Sequence, residues 1–189
     1  MIDYAEDLNC IETYNARRGS NSPTRLQIHM GPSPYDGDPH HARIILLMNN
    51  PGYTPGVSMP SDHSLVFDDW PLAGLHQNAP PAFRGWYQRP LGHLIRLYGP
   101  QKVSKTVCLL QLCPWASMRF DSSLVLPSRR YQLLLAEEAV QRGAVVIAGR
   151  SFDIWPSELP RVRNRLNPTL SPKGLDDCTW EKVQLALEW

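Results

Sequence analysis

The chain has 189 residues, 42% of them hydrophobic and 20% charged, with a formal net charge of +1. That length bounds it to a single domain, or a domain with an N-terminal extension, and allows a sizeable core. Near-neutrality excludes a uniformly basic nucleic-acid binder, although a local basic face suffices for phosphate contact.

Eighteen prolines point to many ordered loops. No apolar run approaches the ~20 residues that span a bilayer. The acidic start, Met1-Ile2-Asp3-Tyr4-Ala5-Glu6-Asp7, lacks the basic-then-apolar pattern of a signal peptide, so a cytoplasmic location without membrane contact is expected.

In chain order, residues 1–19 read as a short helix broken by Gly19-Ser20-Asn21-Ser22-Pro23. Residues 25–29 read as a short edge strand, and 31–39 as a turn-rich loop. Strand candidates follow at 43–49, 106–112, 144–148 and 161–166. The first three are continuous apolar runs, as expected of central parallel strands covered on both faces. Helices are expected over 89–98, 129–142 (stopped by Gly143), 152–158 and 179–187. The alternation gives an α/β layer architecture with right-handed crossovers. Residues 1–189 form one domain in this reading, with 1–40 as an extension packed on it.

Cys10, Cys108, Cys113 and Cys178 form no C-x-x-C pair and read as reduced structural thiols. His40-His41 reads as a solvated loop, because adjacent residues of an extended chain point to opposite sides. No metal site and no organic cofactor is expected.

Each strand exit carries polar groups. The first ends in Asn49-Asn50-Pro51-Gly52-Tyr53, the second in Gln111-Leu112-Cys113-Pro114-Trp115, the third in Gly149-Arg150-Ser151-Phe152. The fourth ends in Asn167-Pro168-Thr169-Leu170-Ser171-Pro172. Parallel strands would gather these loops on one rim, where open α/β sheets bind ligands. The carboxamides of Asn50, Gln111 and Asn167 donate and accept at once, which suits the edge of a planar heterocycle.

These loops resemble the uracil-DNA glycosylase superfamily, closest to its single-strand-selective monofunctional branch. Met48-Asn49-Asn50-Pro51-Gly52 is similar to the G-M-N-P-G motif, and Leu110-Gln111-Leu112-Cys113-Pro114 to H-N-L-C-P. Val146-Ile147-Ala148-Gly149-Arg150 is similar to a V-G-V-G-R strand, and Asn167-Pro168-Thr169-Leu170 with Trp180-Glu181 to H-P-S-P and its Trp-Glu helix. Phe67-Asp68-Asp69-Trp70 stands where the family has Arg-Asp-Trp. The resemblance spans residues 43–187. Gln111 replaces the family's uracil-reading Asn, Asn167 its leaving-group His, and Leu170 a proline.

The resemblance implies a three-layer α/β/α sandwich with a central four-stranded, mainly parallel sheet. It also implies a monomeric hydrolase of base excision repair that cleaves the N-glycosidic bond of uracil or another modified base in DNA. Asn50 would position the water and Asn167 would donate to the leaving base. Gln111 would read the base edge, Gly52 would permit close backbone approach, and Ser171 would contact a phosphate. Met48, Asn49, Arg150 and Thr169 would complete the base- and DNA-binding set, with Tyr53 or Phe67 stacking on the base.

Other readings stand beside these. Behind the functional readings, Asn50 reads as a turn residue capping its own loop, Gln111 as a strand end meeting solvent, and Asn167-Pro168 as a turn initiator. Arg161, Arg163 and Arg165 share one strand face, as an edge defence or a phosphate strip. Phe83, Trp86 and Tyr87 read as core or loop plug ahead of a base platform. The rival function is a nucleotide or modified-DNA binder that keeps the fold without turnover. A different small-molecule hydrolase on a similar sheet ranks low, because no G-x-S-x-G elbow and no candidate Ser-His-Asp set is present.

Overall fold

Three apolar runs form the centre of one sheet. The structure, a computed structural model, describes residues 4–56, 65–150, 153–159, 163–164 and 170–188. Its strands are β1 (Tyr35–Asp36), β2 (Ile44–Met48), β3 (Val107–Gln111), β4 (Val145–Ala148) and β5 (Arg163–Asn164). They lie in the order β1-β3-β2-β4-β5. The pairs β2·β3, β2·β4 and β4·β5 are parallel, and β1 runs antiparallel to β3. The chain is therefore a mixed α/β protein with a mostly parallel sheet.

Two expectations need correction. The edge beside β3 is Tyr35–Asp36, whereas Ile28–Met30 is a 3-10 turn rather than part of an edge strand. This adds a fifth, antiparallel strand to the four expected. Of the candidate strand at 161–166 only Arg163–Asn164 is described, and the side chains of Arg161, Arg163 and Arg165 lie outside the described residues.

The helices are α1 (Ala5–Ala16), α2 (Pro81–Tyr98), α3 (Pro100–Thr106), α4 (Arg129–Gln141), α5 (Ile154–Glu158) and α6 (Asp177–Glu188). Helix α2 begins well before the expected residue 89, with proline at its first position, where the missing N–H costs nothing. Pro90 sits inside it without ending it. Gly99, at φ 79°, ends α2, and Pro100 opens α3, which runs directly into β3.

Strand alternation sorts the core. Ile44, Leu46, Met48, Val107, Leu109 and Ile147 pack with Phe83, Tyr87, Leu91 and Leu94 of α2, Val103 of α3, and Val183 and Leu187 of α6. Ile45, Leu47, Cys108, Leu110, Val146 and Ala148 pack with Ala136 and Ala139 of α4 and Trp155 of α5. A third cluster joins Ile11 of α1 to Leu26, Cys113, Trp115 and Leu126. It seats the N-terminal segment against the exit of β3. No helix among the described residues is long and apolar enough to cross a membrane.

Candidate functional site

The exits of β2 and β3 stay paired beyond the ladder. Leu112 N–H donates to Met48 O at 3.1 Å, and Cys113 N–H to Asn49 O at 2.8 Å. The Pro51-Gly52-Tyr53 turn then lies along Ser117: Ser117 N–H donates to Pro51 O and Tyr53 N–H to Ser117 O, both at 3.2 Å. On the far side of β2, Gly149 and Arg150 N–H both donate to Leu47 O, at 2.7 and 3.0 Å. A Cβ on Gly149 would stand 2.8 Å from Leu47 O and from Met48 Sδ, so the β4 exit approaches β2 only because that residue is glycine.

Asn50 is held by its own loop. Its Nδ2 donates to Pro51 O at 3.0 Å and to Ser117 Oγ at 2.9 Å, with Trp115 O at 3.4 Å. Ser117 Oγ gives its proton to Arg119 O at 2.9 Å, so it must accept from Asn50. This network fixes which end of the carboxamide is nitrogen. The amide N–H groups are committed to the turn, and Oδ1 makes no hydrogen bond among the described residues.

Gln111 ends β3 on the face that carries Val107 and Leu109, hence toward α2. It is only 5% exposed, so it does not meet solvent as a strand end would. Its Oε1 is buried with no hydrogen-bond partner among the described residues. Its side chain lines a cavity of about 320 Å³ together with Pro51, Gly52, Asp36, Phe83 and Trp86. Tyr87, also on the wall, meets Phe83 edge-on at 5.5 Å and Trp86 at 5.0 Å. A volume near the lower end of the small-molecule range suits one planar ring.

The N-terminal segment builds the opposite wall. Gln27 N–H donates to Ala116 O at 2.9 Å, Ser33 N–H to Pro114 O at 2.7 Å, and Gln111 N–H to Pro34 O at 2.9 Å. This zipper carries Met30, Gly31, Ser33 and Asp36 to the cavity. Gly37, at φ 104°, presses on β3, and a Cβ there would stand 2.9 Å from Val107 O. Asp36 is the one charged residue among the described lining. Below, Asp7 of α1 accepts from Trp115 Nε1 at 2.8 Å and Ser128 N–H at 2.9 Å, which fixes the loop after β3.

The remaining expected residues scatter. Met48 is buried in the core, and its carbonyl accepts from Trp155 Nε1 at 3.2 Å. Tyr53 is half-buried and edge-on to His29 at 6.3 Å. Phe67 stacks on His76 at 4.0 Å, away from the cavity lining. The Arg150 side chain is exposed. Asn167 and Thr169 lie outside the described residues. Leu170 is buried, and its N–H donates to Pro90 O at 3.0 Å, a bond that a proline in its place could not make. Ser171, half-buried, follows that anchor.

The structure thus unites Asn50's turn with Gln111. It adds Asp36, which the sequence reading missed, and it sets Phe83, Trp86 and Tyr87, read as core or loop plug ahead of a base platform, on the cavity wall. The signals were present: Phe83, Trp86 and Tyr87 share a helix face at i, i+3, i+4 spacing, and Asp36 precedes a glycine in an extended stretch. The buried thiols are inert, since burial pushes Cys113 up to about 12 and Cys108 well above the ordinary thiol value. No group of three metal-ligating side chains occurs among the described residues. Neither a protein-family model, nor a curated protein, nor a solved structure matches the chain.

Proposed function

We propose that this chain is a monomeric, cytoplasmic DNA glycosylase-like hydrolase, a three-layer α/β/α sandwich of the uracil-DNA glycosylase type that releases a modified base. The observation that carries the reading is the Gln111 carboxamide. It is buried at the carboxyl end of a parallel strand, lines a ring-sized cavity walled by aromatic side chains, and leaves Oε1 without a partner among the described residues. An unpaired buried acceptor is unfavourable by ~1–3 kcal/mol, which a ligand N–H would relieve.

In this reading the target nucleotide is extruded and its base enters beside Phe83, Trp86 and Tyr87. Gln111 reads the base edge. Gly52, exposed and without a side chain, lets the sugar approach the turn. Asn50 Oδ1 orients the attacking water, which is positional assistance rather than strong base catalysis. Asp36 supplies negative charge that favours a sugar developing positive character. Asn167 donates to the departing base.

One observation favours the rival reading, a binder without turnover. The Asn50 amide is spent on Pro51 and Ser117, and an amide oxygen is a weak base. The test is incubation with oligonucleotides carrying uracil, hypoxanthine, xanthine or hydroxymethyluracil, followed by alkali to cut abasic sites. Strand nicking that Asn50→Ala abolishes, with binding retained, supports the hydrolase. Binding of a modified oligonucleotide with no nicking of any substrate leaves the binder.

A further inference from the structure

The charges of this chain are unevenly distributed. Basic and acidic residues total 19 and 18, yet residues 70–120 contain no Asp or Glu while carrying Arg84, Arg89, Arg96, Lys102, Lys105 and Arg119. Helices α2 and α3 come from that segment.

Helical periodicity gives the start of α2 two working faces. Ala82, Phe83, Trp86 and Tyr87 face the cavity. Pro81, Arg84, Gly85 and Gln88 line a separate, shallower groove of about 990 Å³, closed on its other side by residues 98–102 at the α2–α3 junction. Arg84 and Lys102 both line this groove, and no carboxylate stands among its described lining residues. Neither cation has a carboxylate partner among the described residues, whereas Lys105 is tied to Asp69 at 3.3 Å. Arg84 Nε is buried without a hydrogen-bond partner among those residues.

Aromatic rings edge the same groove. Trp70 and His76 line it, Phe67 stacks on His76 at 4.0 Å and 21°, and Trp70 meets the His76 ring edge at 5.0 Å. Unneutralised cations and aromatic rings lining one groove are the combination that holds single strands: cations track the phosphates and rings stack on the bases.

We infer that the groove between α2 and the α2–α3 junction binds the phosphodiester backbone of single-stranded nucleic acid, on the flank of α2 opposite the base cavity. The identity of the occupant rests on the nucleic-acid reading above, while the charge argument stands apart from it. A strand so held would straddle the first turns of α2, with one nucleotide in the cavity and its neighbours over Arg84 and Lys102.

The test is fluorescence anisotropy of a labelled oligothymidylate, which carries no modified base, titrated across a range of salt. Lys102→Gln and Arg84→Gln are each expected to weaken binding several-fold and to lower the salt slope by about 0.7, the value of one single-strand phosphate contact. Thermal melts establish that each variant folds, and Lys102→Gln serves if Arg84→Gln does not. Lys182→Gln, which removes a cation from a separate groove lined by Arg142 and Leu185, should bind oligothymidylate as the wild type does. Unchanged slopes in the folded variants, no wild-type binding, or equal affinity for duplex or for dextran sulfate would each overturn the inference. If the groove variants lose affinity while no modified base is ever released, the groove stands and the hydrolase reading falls. Base release with unaltered groove slopes gives the reverse.

Discussion

Asn50 donates through Nδ2 to Ser117 Oγ at 2.9 Å, and Ser117 passes its own proton to Arg119 O at the same distance. The turn after β2 is therefore held by an amide that must be a donor. A carboxylate at position 50 would face Pro51 O and the Ser117 lone pairs with no proton to offer. Asn50→Asp should destabilise the protein by ~2–3 kcal/mol at neutral pH, more than Asn50→Ala. Urea denaturation, read as a midpoint shift at constant slope, checks the order of the two variants. Equal stability of Asn50→Asp and wild type would remove the clamp from the account.

Gln111 should show the opposite balance. Its Oε1 is buried and unpartnered among the described residues, so the side chain is held at a stability penalty that a ligand would relieve. Gln111→Leu should leave stability unchanged or raise it by up to ~1 kcal/mol, and should abolish base release or modified-oligonucleotide binding. A thermal melt alongside the alkali assay reads both. Loss of stability together with full activity would make Gln111 a structural residue.

The central strands were legible because Ile44–Met48, Val107–Gln111 and Val145–Ala148 are unbroken apolar runs, which parallel strands buried on both faces require. Tyr35–Asp36 was not legible. A two-residue strand between Pro34 and Gly37 has no periodicity of its own, and its pairing is fixed by distant partners, Leu110 and Leu109. Gln111 and the Asn50 turn could be read as one rim because strand ends share an edge once the strands are parallel. Asp36 could not, and the α2 aromatics could be named without being placed beside that rim, because the convergence depends on how an edge strand and a helix dock across β3. Phe67, near Tyr53 in sequence, stacks on His76 instead.

Asp36 is the described charged residue on the cavity wall, on a short strand braced by Gly37. Asp36→Asn keeps shape and removes charge. The turnover rate should fall about 10²-fold with little change in KM, because the charge acts on the positive sugar of the transition state rather than on bound substrate. Single-turnover kinetics on the best substrate measures this. A pure KM effect would mark Asp36 as a binding contact.

Gly149→Ala tests the approach of the β4 exit to β2. The added methyl would meet Leu47 O, Leu46 Cδ1 and Met48 Sδ at 2.8 Å, and one of those three is backbone that the parallel ladder holds in place. Overpacking of this kind is unfavourable by ~1–3 kcal/mol and should lower the melting temperature by several degrees. An unshifted melt would mean that the β4 exit is freer than its hydrogen bonds to Leu47 O imply.

Acid should loosen the seat of α1. Asp121 is held down to about 2 by hydrogen bonds from Ser123 and Tyr14, with a further contribution from the Arg18 guanidinium 3.0 Å away. Because the folded value lies below the ordinary carboxyl value of 3.8, the native state binds this proton less readily than the unfolded chain. The stabilisation is therefore complete above about pH 4 and is lost as pH falls toward about 2. Asp121→Asn should be less stable than wild type at neutral pH, and the gap should close across that window. Denaturation midpoints of both proteins from pH 7 to pH 2 follow the difference, which isolates Asp121 from other carboxylates. A gap that stays constant through the window would show that the Tyr14–Asp121–Arg18 contact does not hold α1 in solution.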